Sequence, residues 1–228
     1  MEVGGEILKS KESEKLLGLK ISSELNWSTH VDELCYTLKQ RLGMIARIKD
    51  RVSGEKLQMI SEAIFMSKVR YAMSVYTKPK YEFNHLEQPM DPNIAKIQVV
   101  HNDLLRVIYG KTRQSHTNMQ KLREEHKIMS INQLSIYHVA MDMFNIINNS
   151  SSDLLHKEFK LETGRYELRR LEDGQVKVPE KMKKSCTGFG YVGPKMWNYL
   201  PSHIRKTTIR AIFKEKMKDW IWEFIPSV

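Results

Sequence analysis

The chain has 228 residues, 41% of them hydrophobic and 28% charged, a balance that predicts a globular core and argues against disorder throughout. Its net charge of +10 predicts a partner rich in phosphate, with excess lysine for solubility as the plain alternative. Two cysteines without zinc-ligand spacing exclude a zinc knuckle, and the absence of a signal peptide and of an 18-residue apolar run predicts an intracellular chain with no membrane partner.

Residues 1–27 predict a β-hairpin. Residues 3–8 place a glycine turn between apolar positions, and residues 15–21 alternate from Leu17 onward as a strand does. A hairpin alone is marginal in water, and no other clear strand lies nearby. We therefore expect this hairpin to join a sheet that lies upstream of the chain.

Residues 28–80 predict two antiparallel helices. The first covers 28–51, with Ser28 or Thr29 as its cap and an apolar stripe at helical spacing. The second covers about 55–77, with Tyr71 facing inward. Several basic side chains lie off the apolar stripe of the first helix and are candidates for phosphate contacts: Lys39, Arg41, Arg47, Lys49 and Arg51.

The segment 78–92 is rich in proline, which predicts a loop and the main boundary inside the chain. The C-terminal region covers residues 93–228. That region begins with helices at about 93–109, 117–126 and 130–148. Residues 161–200 lose the helical period and contain five glycines, so we expect short strands or loops there. A last amphipathic helix at 207–224 should bury Ile209, Phe213, Trp220 and Phe224. The fold class expected is mainly α with a minor β part.

The last third of the chain concentrates the positive charge. Residues 161–228 contain 14 basic and 8 acidic side chains, and aromatic residues at 189–199 lie among them. Aromatics between cations can stack on bases, but they can also form a small core; we favour a core position for Trp197 and nucleic-acid contacts for the cations. The candidates are Lys183, Lys184, Lys195, Arg205, Lys206, Arg210, Lys214 and Lys218.

No catalytic pattern is present in the sequence. Phosphate-binding glycine loops, nucleophile elbows and metalloprotease motifs are missing, the eight histidines are scattered, and the paired acids at 124–125 and 172–173 lie in polar stretches. Nucleotidyl transfer with two metal ions needs several converging carboxylates, which this chain does not supply. We expect no catalytic site, no metal and no cofactor.

Six segments follow one another along the chain in an order that identifies a family: KLLGL at 15–19, LNWSTHV at 25–31, VRYAMSVY at 69–76, the stretch 97–110, FGYVGPKMWNYLPSHIR at 189–205 and IFK at 212–214. In this order they resemble the downstream part of non-LTR (LINE-type, jockey-like) retrotransposon reverse transcriptases. The residues that match the family's motifs are Leu17, Gly18, Trp27, His30, Tyr71, Arg106, Gly110, Trp197, Asn198, Leu200 and Pro201.

Two substitutions and one absence separate the chain from the family pattern. Ala72 stands where the family has a glycine, and Tyr76 where it has a tryptophan. The family's catalytic Tyr-x-Asp-Asp turn lies upstream of Leu17, and nothing in residues 1–14 matches it.

The resemblance implies that residues 1–27 are the last hairpin beside the polymerase palm, 28–80 the helical thumb, and 93–228 the C-terminal region. The first hypothesis is a non-catalytic fragment that binds RNA or DNA, in full length together with the missing palm. The alternative is a co-opted or decaying protein-interaction module that docks through the strand edge at 15–21.

Overall fold

A computed structural model describes residues 2–3, 6–7, 12–24, 26–82, 89–148, 159, 174–179 and 188–227. It is mostly helical, so the expected mainly α class is confirmed at that level. The predicted basic residues Lys183 and Lys184 lie outside the described residues.

The N-terminal part forms two separate antiparallel strand pairs rather than a single hairpin. β1 (Glu2–Val3) pairs with β2 (Glu6–Ile7), and β3 (Ser13–Leu16) pairs with β4 (Leu19–Ser22). In the second pair Leu16 lies opposite Leu19, which leaves the two-residue turn Leu17–Gly18 with φ of 48° and 82°. Two positive φ values in succession are typical of a type I′ hairpin turn. Leu17 therefore belongs to the turn and does not begin the strand.

Helix α1 (Ser28–Ile48) follows the predicted apolar stripe and continues into one 3-10 turn, Lys49–Arg51. The predicted cap, Ser28 or Thr29, is wrong, because both residues lie inside the helix. Trp27 occupies the N-cap position without a side-chain bond, and Asn26 Oδ1 accepts hydrogen bonds from the amide (3.3 Å) and hydroxyl (2.8 Å) of Ser28. Asn26 thus closes the helix start in the way an Asx cap does.

The single helix predicted at 55–77 is divided into four pieces. These are α2 (Gly54–Ser61), a π-helical segment (Glu62–Met66), α3 (Ser67–Arg70) and α4 (Met73–Tyr76). The break lies at Tyr71, whose backbone is extended, and at Ala72, which has a left-handed φ of 52°. This break also turns Tyr71 out of the core, contrary to the inward position predicted for it.

The next three helices lie close to their predicted bounds: α5 (Pro92–Ile108), α6 (Met119–Glu125) and α7 (Ile131–Ile147). Asp91 caps α5, with its carboxylate 2.7 Å from the amide of Asn93 and a proline as the first helical residue. After α5, Gly110 has φ 61° and Lys111 donates to the carbonyl of Arg106 at 2.8 Å, which is a Schellman ending.

The expectation of strands or loops across 161–200 is wrong for residues 189–199, which form helix α8 (Phe189–Tyr199). Tertiary packing outweighs the poor helix propensity of its glycines and Pro194. A Cβ on Gly193 would lie 2.8 Å from Met143 Sδ, so the glycine lets α8 approach α7 closely. Residues 174–179 contain one bridge residue, Val176, and begin at Gly174 with a left-handed φ of 68°; residues 161–173 and 180–187 lie outside the described residues.

Two more helices follow: the single turn α9 (Ser202–Arg205) and the 15-residue α10 (Arg210–Phe224). The buried stripe of α10 is Phe213, Met217, Trp220 and Ile221. Ile209 and Phe224, predicted to be buried, are 58% and 56% exposed. Ile209 is the N-cap residue of α10 and Phe224 is its last residue. At these two ends the side chains lie outside the buried stripe that the sequence pattern predicted.

The buried residues form two cores that share α7. The first core contains residues of α1 to α5 together with Ile131 and Leu134, and the second contains Ile136 to Ile146, Val176 and residues of α8 to α10. The core does not divide at 78–92, because α5 packs lengthwise against α1. The extended stretch before α5 is fixed to α7 instead: Asn132 donates to and accepts from the backbone of Lys80, both at 2.8 Å.

Replacing Ala72 by glycine should stabilise the fold. A left-handed backbone costs an L-residue about 1 to 2 kcal/mol, while glycine adds somewhat less in unfolded-chain entropy. We expect Ala72→Gly to raise the free energy of unfolding in urea by about 0.5 to 1 kcal/mol. The control is Ala95→Gly on the exposed side of α5, which should lower it by about 1 kcal/mol. If both variants lowered the free energy of unfolding by the same amount, the backbone at Ala72 would not be strained.

Candidate nucleic-acid interface

One face of α1 is exposed along its length and contains two of the predicted cations. Lys39, Gly43 and Arg47 recur at intervals of four residues, and Tyr36, Gln40 and Met44 form the neighbouring row. All six are exposed, Tyr36 by 67% and Met44 by 56%. This group is called the α1 surface below. A tyrosine and a methionine on a solvated helix face leave apolar area uncovered, as binding surfaces do.

Gly43 is the least expected residue of the α1 surface. A Cβ at this position would meet nothing within 4 Å, so no contact inside the described part of the chain requires a glycine. Glycine within a helix costs about 1 kcal/mol relative to alanine. Its position in the exposed row therefore suits the close approach of something outside the chain. The sequence already shows a glycine inside a helical pattern. Only the structure shows that this glycine lies on an exposed face, which makes it a candidate contact point.

Lys49 and Arg51 are exposed in the 3-10 turn that follows α1, and Arg41 is not equivalent to them. The guanidinium of Arg41 is partly buried and donates to the carbonyl of Ile64 in the π-helical segment. Lys49 and Arg51 also lie at the negative end of the α1 dipole, where cations stabilise a helix without any ligand. Arg47 lies in the last turn of α1 and shares that role, whereas Lys39, two turns earlier, does not.

The predicted cations of the last third divide into exposed and enclosed side chains. On α10, Arg210 and Lys218 are exposed and Lys214, between them, is half-buried. Lys206 is exposed at the end of α9, whereas Arg205 is only 9% exposed and packs behind it. Arg205 is therefore a structural residue. The remaining four, Lys206, Arg210, Lys214 and Lys218, are called the tail surface below.

Tyr137 of α7 lies beside the tail surface. Burial raises the pKa of its phenol, while the positive charges of Arg210 and Arg70 act in the opposite direction. A half-buried tyrosine next to exposed cations is the combination that contacts bases and phosphates together. On α8, Lys195 lies over the ring of Tyr191, with Nζ 5.5 Å from the ring centroid. Lys195 is exposed as predicted, but it already has an aromatic partner.

Four carboxylates of the described residues, Asp32, Glu33, Glu62 and Asp103, form ion pairs, all with other cations. The ion pairs are Lys20–Glu33, Arg70–Glu62, Lys96–Asp32, Arg106–Asp103 and Arg113–Asp103. Within the described ranges, no predicted cation of α1 or α10 forms an ion pair. Their charges are thus open to solvent and to a polyanion, which distinguishes them from ordinary surface pairs.

The motif residues of the N-terminal half meet where the β3–β4 hairpin rests on the helices. Tyr71 donates from its hydroxyl to the carbonyl of Leu17 at 2.8 Å, and its ring lies beside Gly18. His30 Nδ1 accepts from the amide of Lys20 at 3.4 Å, and its ring packs edge-on between Trp27 and Tyr76. Residues up to 54 positions apart in sequence therefore form one joint.

The motif residues of the C-terminal half are also structural. Trp197 is fully buried, stacks on Phe213 at 5.7 Å between centroids, and donates its indole N–H to the carbonyl of Gly174 at 2.9 Å. Asn198 holds the backbone of Val176 with two hydrogen bonds of 2.9 and 2.8 Å, as a neighbouring strand would. The preferred core position of Trp197 is confirmed. Leu200 is buried, and Pro201 precedes α9.

A cavity of about 380 Å³ lies between α2, the π-helical segment and α5. His101 contributes to its lining and is buried, with no hydrogen-bond partner for its Nδ1 among the described residues. Burial, reinforced by the positive charges of Arg123 and Arg70, lowers the pKa of His101 to about 3. The imidazole is therefore neutral at physiological pH. No sequence pattern pointed to this histidine, because its helical spacing resembles that of a core residue.

Comparison of the chain with protein-family models, with curated proteins and with solved structures finds no match. Among the residues that the structure describes, no group of three or more His, Cys, Asp or Glu side chains could hold a metal ion. No helix in the same ranges is both long and apolar enough to cross a membrane.

The buried neutral His101 should make the fold sensitive to acid. Its folded pKa of about 3 lies below the unfolded value of 6.5, so stability is complete above pH 6.5 and falls as the unfolded state takes up the proton. We expect a loss of up to about 1.4 kcal/mol per pH unit below pH 6 from this group. Urea unfolding of His101→Phe between pH 7 and 4.5 should show a visibly flatter dependence than the wild type. Identical pH profiles would contradict a buried neutral imidazole.

Proposed function

We propose that this chain is a non-catalytic nucleic-acid-binding part of a non-LTR retrotransposon reverse transcriptase, corresponding to its thumb and C-terminal region. The observation that carries the nucleic-acid role is the α1 surface. It combines exposed cations that pair with no carboxylate of the described residues, an exposed tyrosine, and a helical glycine that no contact among those residues requires. A phosphate backbone with bases needs that combination: positive charge, a flat ring and room for close approach.

The family part of the proposal is supported by the backbone at the motif glycines. Gly18 and Gly110 have φ of 82° and 61°, and Ala72, which stands where the family has a glycine, has φ of 52°. A left-handed backbone is the conformation that selects glycine. The family's glycine pattern therefore agrees with the conformation at all three positions, including the one where this chain has lost the glycine.

The tail surface supplies a second positive area, on the other core. Arg210 and Lys218 are exposed, and Tyr137 adds an aromatic ring beside them. Neither surface presents a base-reading arrangement, so binding should follow the phosphate backbone with little sequence preference. Association should accordingly depend on counterion release.

The salt dependence of binding tests the electrostatic part. Fluorescence anisotropy with a labelled single strand and a labelled duplex should give affinities that fall steeply between about 50 and 200 mM salt. Lys39→Gln combined with Arg47→Gln should reduce the slope of log K against log salt by about 1 to 2. The matched control is Lys96→Gln with Arg113→Gln, which removes two charges already paired with Asp32 and Asp103. A wild-type affinity independent of salt would overturn the proposal.

Gly43→Ala separates binding from stability. The substitution should raise the free energy of unfolding by about 1 kcal/mol, because alanine favours the helix and a Cβ meets no neighbour. If a nucleic-acid backbone approaches this row, the same methyl group should weaken binding severalfold. Thermal unfolding and anisotropy on one preparation measure both. A more stable variant with unchanged affinity would show that the α1 surface is not the contact.

A second candidate function is docking on another protein through the β3–β4 hairpin. It is favoured by the exposure of Leu16 and Leu17, 60% and 82%, and by the two-stranded sheet, whose outer edges pair with no other described strand. If this edge is the main interface, the chain should self-associate at micromolar concentration. Leu16→Lys with Leu17→Asn should abolish that association in sedimentation equilibrium, while Ile209→Lys, an exposed control on the tail side, should not. A wild type that stays monomeric throughout removes this candidate.

A further inference from the structure

Helix α8 has a row in which a cation lies between two tyrosines. Tyr191, Lys195 and Tyr199 follow one another at intervals of four residues, which places them on one side of the helix. Lys195 is exposed, with Nζ 5.5 Å from the centroid of the Tyr191 ring, and Tyr199 is 41% exposed. Within the described ranges Lys195 forms no ion pair. This group of three is called the α8 row below.

Tyr199 belongs to a connected group of aromatic rings. Its centroid lies 5.3 Å from that of Tyr81 and 6.3 Å from that of Trp220, with 53° and 68° between the planes. Trp220 is buried and also contacts Phe224, which is 56% exposed, at 6.3 Å between centroids. Neither Tyr81 nor Trp220 lies parallel to the Tyr199 ring. A flat group from outside the chain can therefore stack on this exposed ring.

The position of Tyr199 is fixed by the packing around it. Trp220 lies in the buried stripe of α10, and Tyr81 packs against the second core. The backbone of Lys80, next to Tyr81, is held by Asn132 through two hydrogen bonds of 2.8 Å. A ring that is already fixed loses little conformational freedom when a ligand stacks on it. Tyr199 is therefore preorganised for stacking.

The charges near the α8 row place a phosphate beside Lys195. Burial raises the pKa of the Tyr81 phenol, and the negative charge of Glu82 acts in the same direction. The phenols of Tyr191 and Tyr199 add to this effect, so the three hydroxyl groups lie near one another. The Tyr81 side of the group is thus neutral or acidic, whereas Lys195 is exposed between the two tyrosines of α8. A phosphate is attracted to the cation and not to the Glu82 side.

An unpaired strand uses the ring and the cation of the α8 row together. In a duplex the bases stack on one another, so only the phosphates are accessible to Lys195 and the Tyr199 ring has no partner. A single strand presents phosphates and free base faces at once, which is what an aromatic ring beside a cation binds. A second copy of this chain fits less well, because its net charge of +10 would meet Lys195 with the same sign.

We propose that the α8 row binds single-stranded nucleic acid by stacking one unpaired base on Tyr199, while Lys195 contacts the adjacent phosphate. This rests on the proposed nucleic-acid function and adds to it a contact that selects single strands over duplexes. The two cationic surfaces, by contrast, hold the phosphate backbone of either form. Aromatic stacking tolerates every base, so the α8 row requires no particular sequence.

Strands without bases test the stacking directly. A labelled oligonucleotide and an abasic strand of the same length, with the same phosphates, are titrated with the full chain and followed by fluorescence anisotropy. The wild type should bind the strand with bases at least about tenfold more tightly, and Tyr199→Leu should reduce that ratio about tenfold. Tyr199→Phe keeps the ring and should retain the wild-type ratio. The control is Ile212→Ala, which alters an equally exposed side chain on α10 and should also retain it.

Duplex binding and the salt slope separate the ring from the cation. Tyr199→Leu should leave the affinity for a blunt duplex and the salt slope for the single strand unchanged, because the ring neutralises no phosphate. Lys195→Gln should lower that slope by about 1 and leave the ratio between the two strands unchanged. An equal loss of single-strand and duplex affinity in Tyr199→Leu would overturn the selection of single strands.

Thermal unfolding of the same samples shows whether the variants fold. If Tyr199→Leu does not fold, photocrosslinking of the wild type to a strand that contains 5-bromouracil decides the outcome. The expected adduct is on Tyr199, and adducts confined to other residues would overturn the stacking site.

The remaining outcomes distinguish this proposal from the proposed function. Salt-dependent strand binding with the same ratio in the wild type and in Tyr199→Leu would overturn the α8 row alone. Binding to neither strand nor duplex would overturn the proposed function and the α8 row with it. A preference for bases that depends on Tyr199, in binding that does not depend on salt, would support the stacking site and overturn the cationic surfaces. Self-association that Tyr199→Leu abolishes, with the ratio unchanged, would assign this ring to a contact between copies and overturn the proposal.

Discussion

Helix α7 has no exposed residue, and the rest of the structure is arranged to enclose it. Twelve of its seventeen residues are buried, and the others are half-buried. A helix without a solvent-exposed face needs packing partners on every side. Ile131 and Leu134 belong to the first core and Ile136 onward to the second, so α1 to α5 and α8 to α10 meet on this one element. Each buried aliphatic or aromatic side chain contributes about 1.5 to 3 kcal/mol.

The start of α7 makes this arrangement specific. Ser130, Asn132, Gln133 and Ser135 are buried, and each has a hydrogen-bond partner. Gln133 completes a capping box with Ser130 and donates to the carbonyl of Ile225 at 2.8 Å, while Asn132 holds the extended backbone at Lys80. A buried polar group without a hydrogen-bond partner costs free energy. Other ways of packing these segments, which would leave such groups unpaired, are therefore disfavoured.

The two cationic surfaces lie on different cores: α1 belongs to the first and α10 to the second. Under the proposed function, each surface would supply a set of weak, screened contacts to phosphates. Because α7 contributes to both cores, a strand held by one surface would meet the other at high effective concentration.

The sequence by itself determined the helical class, the apolar stripe of α1, the bounds of α5 and α7 within one or two residues, and the enclosed position of Trp197. These follow from periodicity and from local caps, which are properties of neighbouring residues. Its charge pattern also identified the exposed Lys39, Arg47 and Arg210, since unpaired basic residues off an apolar stripe face solvent.

Only the tertiary structure decided the remainder. Helix α8 forms despite the low helix propensity of its glycines and proline, because α7 and α10 bury it. The helix predicted at 55–77 breaks at Ala72, because the chain turns there. Arg41 is partly buried and Arg205 is buried, although the sequence pattern placed both on the surface. The His101 cavity depends on contacts between distant segments, such as Gln58 and Tyr109, which are 51 positions apart. Local sequence cannot specify such contacts, because the partner of each side chain is chosen by the packing of distant elements.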